Sequence, residues 1–192
     1  MSKTQYYCAS TLDGYIAGSD DDLDWLTKYE GSYGGEGVEP IKGSYDRFYE
    51  GVGALVSGSR TYEWILDHIS GGGEWPYKGK PTWVLSRREL PMPDDDDEGV
   101  DVRVIDGGVE DLYEEIAASA GDRNLWVVGG GNVASQFADA GYLDEVLVTV
   151  VPVVLGAGRP LFDRRLPGGP MQLTGTRAFD SGMVELRYEL RR

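Results

Sequence analysis

The sequence predicts an α/β fold: a single domain over residues 1–192, with a mixed, mostly parallel central sheet of about eight strands, flanking helices and a C-terminal antiparallel hairpin. Three observations predict it. Short β-like runs alternate with helical patterns through most of the chain. Two runs, Leu125-Trp126-Val127-Val128 and Val146-Leu147-Val148-Thr149-Val150-Val151, are apolar without alternation, as strands covered on both faces are. The last two runs flank Asp180-Ser181-Gly182, which reads as the turn of a hairpin.

In order, the strand-like runs are residues 5–9, 54–57, 82–85, 101–105, 125–128, 145–154, 171–179 and 183–190. Helical patterns cover 45–50 behind a Ser44 N-cap, 61–68, 109–120 with acids in its first turn, and 132–140 after a glycine run. Alternation of this kind implies crossover helices between parallel strands. Ligands of such sheets bind beyond the carboxyl ends of the strands.

Composition narrows the function. A hydrophobic content of 41% supplies one sizeable core, and the 28 glycines and nine prolines fall between the apolar runs as turns. The formal charge of −15, from 33 acidic and 18 basic residues, repels phosphate backbones and argues against nucleic acid as a partner. A bound dinucleotide would therefore need local cations or backbone N–H groups. No stretch has the apolar length of a signal-peptide core or a membrane span, which predicts a cytoplasmic protein with no membrane partner. Cys8 and His68 are the only residues of their types, so neither a disulfide nor a Cys/His zinc site is expected. The acidic runs 20–22 and 94–98 read as solvated loops rather than metal ligands.

The strongest local signal is Gly129-Gly130-Gly131-Asn132-Val133, an apolar strand's end entering a helix. Glycines let the backbone approach a diphosphate, and the helix N-terminus offers N–H donors and the positive end of a dipole. The same pattern is compatible with a tight turn that holds no ligand. It is not the G-x-G-x-x-G fingerprint, and it lies far from the first strand, which disfavours a Rossmann domain. A second strand-to-helix turn, Ser57-Gly58-Ser59-Arg60-Thr61, brings together a glycine, hydroxyls and a cation, or is an ordinary helix start. A third strand ends in Ser86-Arg87-Arg88, where guanidinium groups meet either a phosphate monoester or neighbouring carboxylates.

Taken together, these segments resemble the dihydrofolate-reductase-like fold, and within it the family that includes the reductase domain of bacterial riboflavin biosynthesis. The residues carrying the resemblance run from Ala9 through Ala17, then Asp24-Trp25-Leu26, Gly58 through Glu63, Trp75-Pro76-Tyr77, Val84 through Arg87, the glycine turn, and Pro152 through Phe162. The resemblance implies an NADPH-dependent reductase acting on a small molecule, and a homodimer. By the same resemblance, Ala9 and Trp25 border the nicotinamide. Ser57, Gly58, Ser59, Arg60 and Thr61 face the diphosphate and adenosine. Ser86 and Arg87 meet the 2′-phosphate, and Gly129, Gly130, Gly131, Asn132 and Val133 hold the diphosphate. Asp13, Trp25 and Asp46 are assigned to the substrate pocket, although Asp13-Gly14 also reads as a turn and Trp25 as a core aromatic.

Two departures bear on the substrate: Val128 stands where riboflavin-pathway reductases place a substrate-contacting glutamate, and Asp20, Asp21, Asp22 and Asp24 crowd Trp25 where basic residues would meet a phosphoribosyl group. A third bears on phosphate binding: Ser59 replaces the family arginine after Gly58, with Arg60 one residue on. Hydride transfer also needs a proton, for which Asp46 is the candidate donor; solvent is the alternative, with Asp46 then serving only its helix's first turn. The expected reaction is reduction of a small heterocyclic or carbonyl compound. A non-catalytic nucleotide-binding module of the same fold and a true dihydrofolate reductase are the rival readings.

Overall fold

In the computed structural model, residues 2–29, 41–70, 72–93 and 98–191 are described. The apolar runs become strands β1 (Thr4–Thr11), β3 (Val52–Gly58), β4 (Thr82–Leu85), β5 (Val102–Ile105), β6 (Asn124–Gly129), β7 (Glu145–Val151), β9 (Gln172–Ala178) and β10 (Val184–Glu189). These eight form one sheet in the order β5-β4-β3-β6-β1-β7-β10-β9. Six strands, β5 through β7 in that order, are mutually parallel, and β10 and β9 add the antiparallel hairpin at one end. Pro152 follows the last residue of β7, where its missing N–H ends the ladder short of the expected residue 154.

The helices are α1 (Asp24–Thr27), α2 (Ile41–Glu50), α3 (Ser59–Ile69), α4 (Val109–Ser119) and α5 (Gly131–Asp139). Period-2 alternation sends successive strand residues to opposite faces, and both faces are covered. On one face Tyr6, Ala54, Val56, Trp83, Leu125, Val127 and Val146 pack against Val109 and Ile116 of α4 and Val133, Ala134 and Phe137 of α5. On the other, Tyr7, Val52, Leu55, Val84, Trp126 and Leu147 pack against Tyr62 and Ile65 of α3, with Tyr45, Phe48 and Tyr49 of α2 alongside. Gly53 sits where a Cβ would strike the backbone of Ala120, so β3 meets the end of α4 only through a glycine.

Two features differ from the sequence reading. Helix α2 begins at Ile41, so Ser44 is an interior residue rather than an N-cap, and its hydroxyl donates to Glu185 Oε2 at 2.8 Å. A small second sheet, β2 (Tyr15–Ala17) paired antiparallel with β8 (Arg159–Pro160), was not foreseen, because two residues containing a proline carry no strand signal. This ribbon matters for the site, since it lies against the glycine turn.

A candidate dinucleotide cleft

The cleft opens at the carboxyl ends of the parallel strands, where β6 inserts between β3 and β1. Its volume is about 790 Å³, of the size expected for a ligand pocket. Two helices begin there. Helix α5 starts at Gly131 with Gly130 as N-cap, and α3 starts at Ser59 with Gly58 as N-cap. Neither N-cap has a side chain to satisfy the first-turn N–H groups, so both helices present bare donors and positive dipole ends. The Gly129–Gly130 peptide is cis.

Close packing fixes the turn. A Cβ on Gly131 would lie 2.5 Å from the Pro160 carbonyl oxygen and 2.6 Å from that of Leu161, so β8 rests directly on the first residue of α5. A Cβ on Gly129 would lie 3.1 Å from Thr61 Oγ1, which brings the α3 turn beside the α5 turn. The β2–β8 ribbon is tied down by the Leu161 amide donating to Gly14 O at 2.9 Å and by the Tyr6 hydroxyl donating to Leu161 O at 3.2 Å.

Of the residues singled out from the sequence, Ala9, Gly58, Ser59, Arg60, Thr61, Gly129, Gly130, Gly131, Asn132 and Val133 all line this one cleft. The others lie elsewhere. Trp25 packs beside Val151, Phe179 and Met183, and Ser57 is buried with its hydroxyl unpartnered. Ser86 Oγ bonds with the backbone of Arg88, while Arg87 faces solvent with one loose ion pair to Asp106 at 3.8 Å. Asp13 binds the amides of Leu155 and Gly156 and the Thr11 hydroxyl. That hydroxyl is the main reason its carboxyl titrates below the usual range. Asp46 is exposed and outside the cleft wall, whereas Tyr45 lines it. Neighbouring residues on a helix point about 100° apart, so an inward Tyr45 turns Asp46 away.

The cleft also recruits residues that sequence reading missed. Tyr7, Tyr45, Trp64, Tyr77 and Trp126 give its other half an aromatic wall. Trp126 meets Tyr45 edge-on at 5.9 Å between centroids and Tyr77 at 5.6 Å, and donates its indole N–H to Tyr7 O at 3.0 Å. Thr149 of β7 lines this half with its hydroxyl buried and unpartnered. Glu185, paired with Thr149 across β7 and β10, accepts from the Tyr7 hydroxyl at 3.2 Å. A threonine inside an otherwise apolar strand was the signal available for Thr149; the rest needed tertiary placement.

Electrostatics divide the cleft in the same way. The Arg164 guanidinium, aided by the Asn132 amide at 2.6 Å, holds the Asp163 carboxyl down at about 2. Burial pushes the Cys8 thiol up to about 12, so it lines the wall as a neutral group. Among the described residues no cluster of three or more His, Cys, Asp or Glu side chains could hold a metal ion. No described helix is long and apolar enough to cross a membrane.

Comparisons with known proteins agree with this architecture. Residues 73–185 match the model of the RibD C-terminal domain family. YwjB of Bacillus subtilis (strain 168), itself uncharacterized, is 32% identical over 188 residues, spanning 97% of each chain. A structure from Shewanella sp. PV-4, named for riboflavin biosynthesis, superposes with a TM-score of 0.78 at 26% identity over 99% of both chains. Dihydrofolate reductase from Enterococcus faecalis, complexed with NADP(H) and RAB-propyl, shares the fold with a TM-score of 0.61 at 17% identity, covering 99% of this chain and 97% of that one.

Proposed function

Because the chain belongs to the RibD C-terminal domain family, a riboflavin-pathway-like group of reductases, we propose that it is an NADPH-dependent reductase of a small heterocyclic or carbonyl compound. One observation carries this reading: two glycine-capped helix N-termini, of α3 and α5, open into one cleft at the switch point of a parallel sheet. Paired bare N–H turns of this kind suit a diphosphate, and they answer the requirement for local positive charge in a chain of net charge −15.

The residues present fit a dinucleotide. Residues 58–61 and 129–133 would hold its diphosphate, and Ser86 and Arg87, beside the cleft-lining Leu85, its 2′-phosphate. When bound, the nicotinamide would supply a hydride to an electrophilic C=N or C=O carbon. The chain's own part is to orient and enclose: Ala9 and the aromatic wall of Tyr7, Tyr45, Tyr77 and Trp126 offer flat apolar surfaces for two stacked rings. Among the described residues the carboxylates that line the cleft are Asp21 and Asp163, both grouped with the phosphate-side residues, so solvent is the proposed proton source in place of Asp46. Val128 lines the cleft without the acid of the riboflavin-pathway enzymes, which favours a substrate that does not require that contact.

Tryptophan fluorescence tests the reading, since Trp64 and Trp126 line the cleft. Saturable quenching by NADPH at sub-millimolar concentration, tighter than by NADH, is expected. It should be followed by oxidation of NADPH on adding a suitable pyrimidine, pterin or carbonyl compound. If neither dinucleotide binds, the reading fails.

A further inference from the structure

Both arginines that line the cleft, Arg60 and Arg159, act on one carboxylate, Asp21. Arg159 Nε donates to Asp21 Oδ1 at 2.5 Å and Nη2 to Oδ2 at 3.1 Å, a two-pronged contact along one edge of the guanidinium. A guanidinium has five N–H groups in one plane, so this leaves a second edge, made by Nη1 and the other Nη2 hydrogen. Among the described residues no hydrogen bond is made from that edge, and the side chain is 40% exposed.

The position of this edge is held from both sides. Asp21 has φ 61°, the only positive φ at a described residue other than glycine, and its amide donates to Gly18 O at 3.1 Å. Aspartate tolerates this conformation better than most residues, and here it turns the carboxylate toward Arg159. On the other side, Pro160, the residue after Arg159, rests its carbonyl on Gly131 at the start of α5. The guanidinium is thereby anchored beside the glycine turn.

An acid in the wall of an anion-binding cleft would, by charge alone, repel the ligand. We infer that Asp21 is instead a positioning residue that fixes Arg159 so that its open edge grips the diphosphate of the bound dinucleotide together with the amides of the glycine turn. This rests on the reading of the cleft as a dinucleotide site. It assigns roles to Arg159 and Asp21 that the motifs alone do not.

The sign of the Asp21 effect is the test. Dissociation constants for NADPH, NADH and inorganic pyrophosphate are measured for the wild type, Arg159→Gln, Arg159→Lys, Asp21→Ala and Asp21→Asn. Arg159→Gln is expected to weaken NADPH and NADH alike by about 10- to 100-fold, as loss of hydrogen bonds to a charged group does. Arg159→Lys keeps the charge without the fork and recovers only part of this. Asp21→Ala is expected to weaken NADPH about five- to tenfold although it removes a negative charge, and Asp21→Asn, which suits the positive φ, to weaken it less and with unchanged melting.

Tighter binding in Asp21→Ala overturns the inference, because Asp21 would then only repel. Loss confined to NADPH in Arg159→Gln overturns it too, placing the fork on the 2′-phosphate, as does unaltered binding in that variant. If the wild type binds neither dinucleotide, the reductase reading fails and the pyrophosphate series decides. Pyrophosphate binding that Arg159→Gln abolishes upholds the grip, and absence of pyrophosphate binding rejects it.

Discussion

The two halves of the cleft are built by different means. The side proposed to take the phosphates is made mostly of backbone: glycine turns, bare helix N-termini, and one arginine paired with an aspartate. Its parts come from short contiguous segments. The aromatic side is made of side chains from β1, α2, α3 and β6, with Tyr77 from the segment before β4, and no two of its rings are adjacent in sequence. The first half depends on the absence of Cβ atoms, the second on the bulk of rings. They should therefore fail in different ways.

The largest effect is expected from Trp126→Ala. Trp126 is 5% exposed and contacts Tyr7, Tyr45, Phe48, Tyr49 and Tyr77, so its loss leaves a cavity at the centre of the aromatic half. Urea unfolding should show a loss of about 3–5 kcal/mol. Gly131→Ala strikes the other half. The added methyl collides with the Pro160 and Leu161 carbonyls, so a loss of about 1–3 kcal/mol is expected together with at least about tenfold weaker NADPH binding. Binding as tight as wild type in that variant would mean the ribbon need not rest on the turn.

Removing a polar atom should have the opposite sign. Thr149 is 4% exposed and its hydroxyl has no partner, so Thr149→Val is expected to stabilise the protein by about 1 kcal/mol in the same unfolding assay. Turnover of any substrate should fall as well, since the half proposed to take the two rings loses a polar group. Destabilisation would show that the hydroxyl is satisfied in solution.

The smallest effect concerns pH on the phosphate side. The folded protein holds Asp163 at about 2, below the ordinary 3.8, so folding favours its charged form. Its contribution is complete above about pH 4 and is lost as pH falls toward 2. Asp163→Asn should flatten that part of the stability profile, by less than about 1 kcal/mol because the group is partly exposed. An identical acid limb in the variant would mean that the Asp163 carboxylate adds nothing to stability.

These differences also explain what the sequence could reveal. The six parallel strands were legible because buried strands need apolar runs and their crossovers need helices, and the antiparallel β9 and β10 because Asp180-Ser181-Gly182 marks the turn between them. The glycine turns were legible because bare backbone at a strand end has few uses. The β2–β8 ribbon was not, since a two-residue pairing involving Pro160 leaves no periodic trace. Asp46 was the candidate donor on chemistry, but α2 turns Tyr45 toward the cleft and leaves Asp46 exposed, which only tertiary packing decides. Glu185, Tyr7 and Ser44 lie far apart in sequence, and only the register of β7 with β10 and the packing of α2 bring them together.

The proposal that the glycine turn binds the diphosphate of NADPH stands or falls on a crystal structure of the protein with NADPH soaked in. The predicted result has the diphosphate within hydrogen-bonding distance of the Gly130 and Gly131 amides and of Arg159, with the nicotinamide beside Ala9 in the aromatic half. A nucleotide bound elsewhere, or one whose diphosphate avoids the glycine turn, would contradict it.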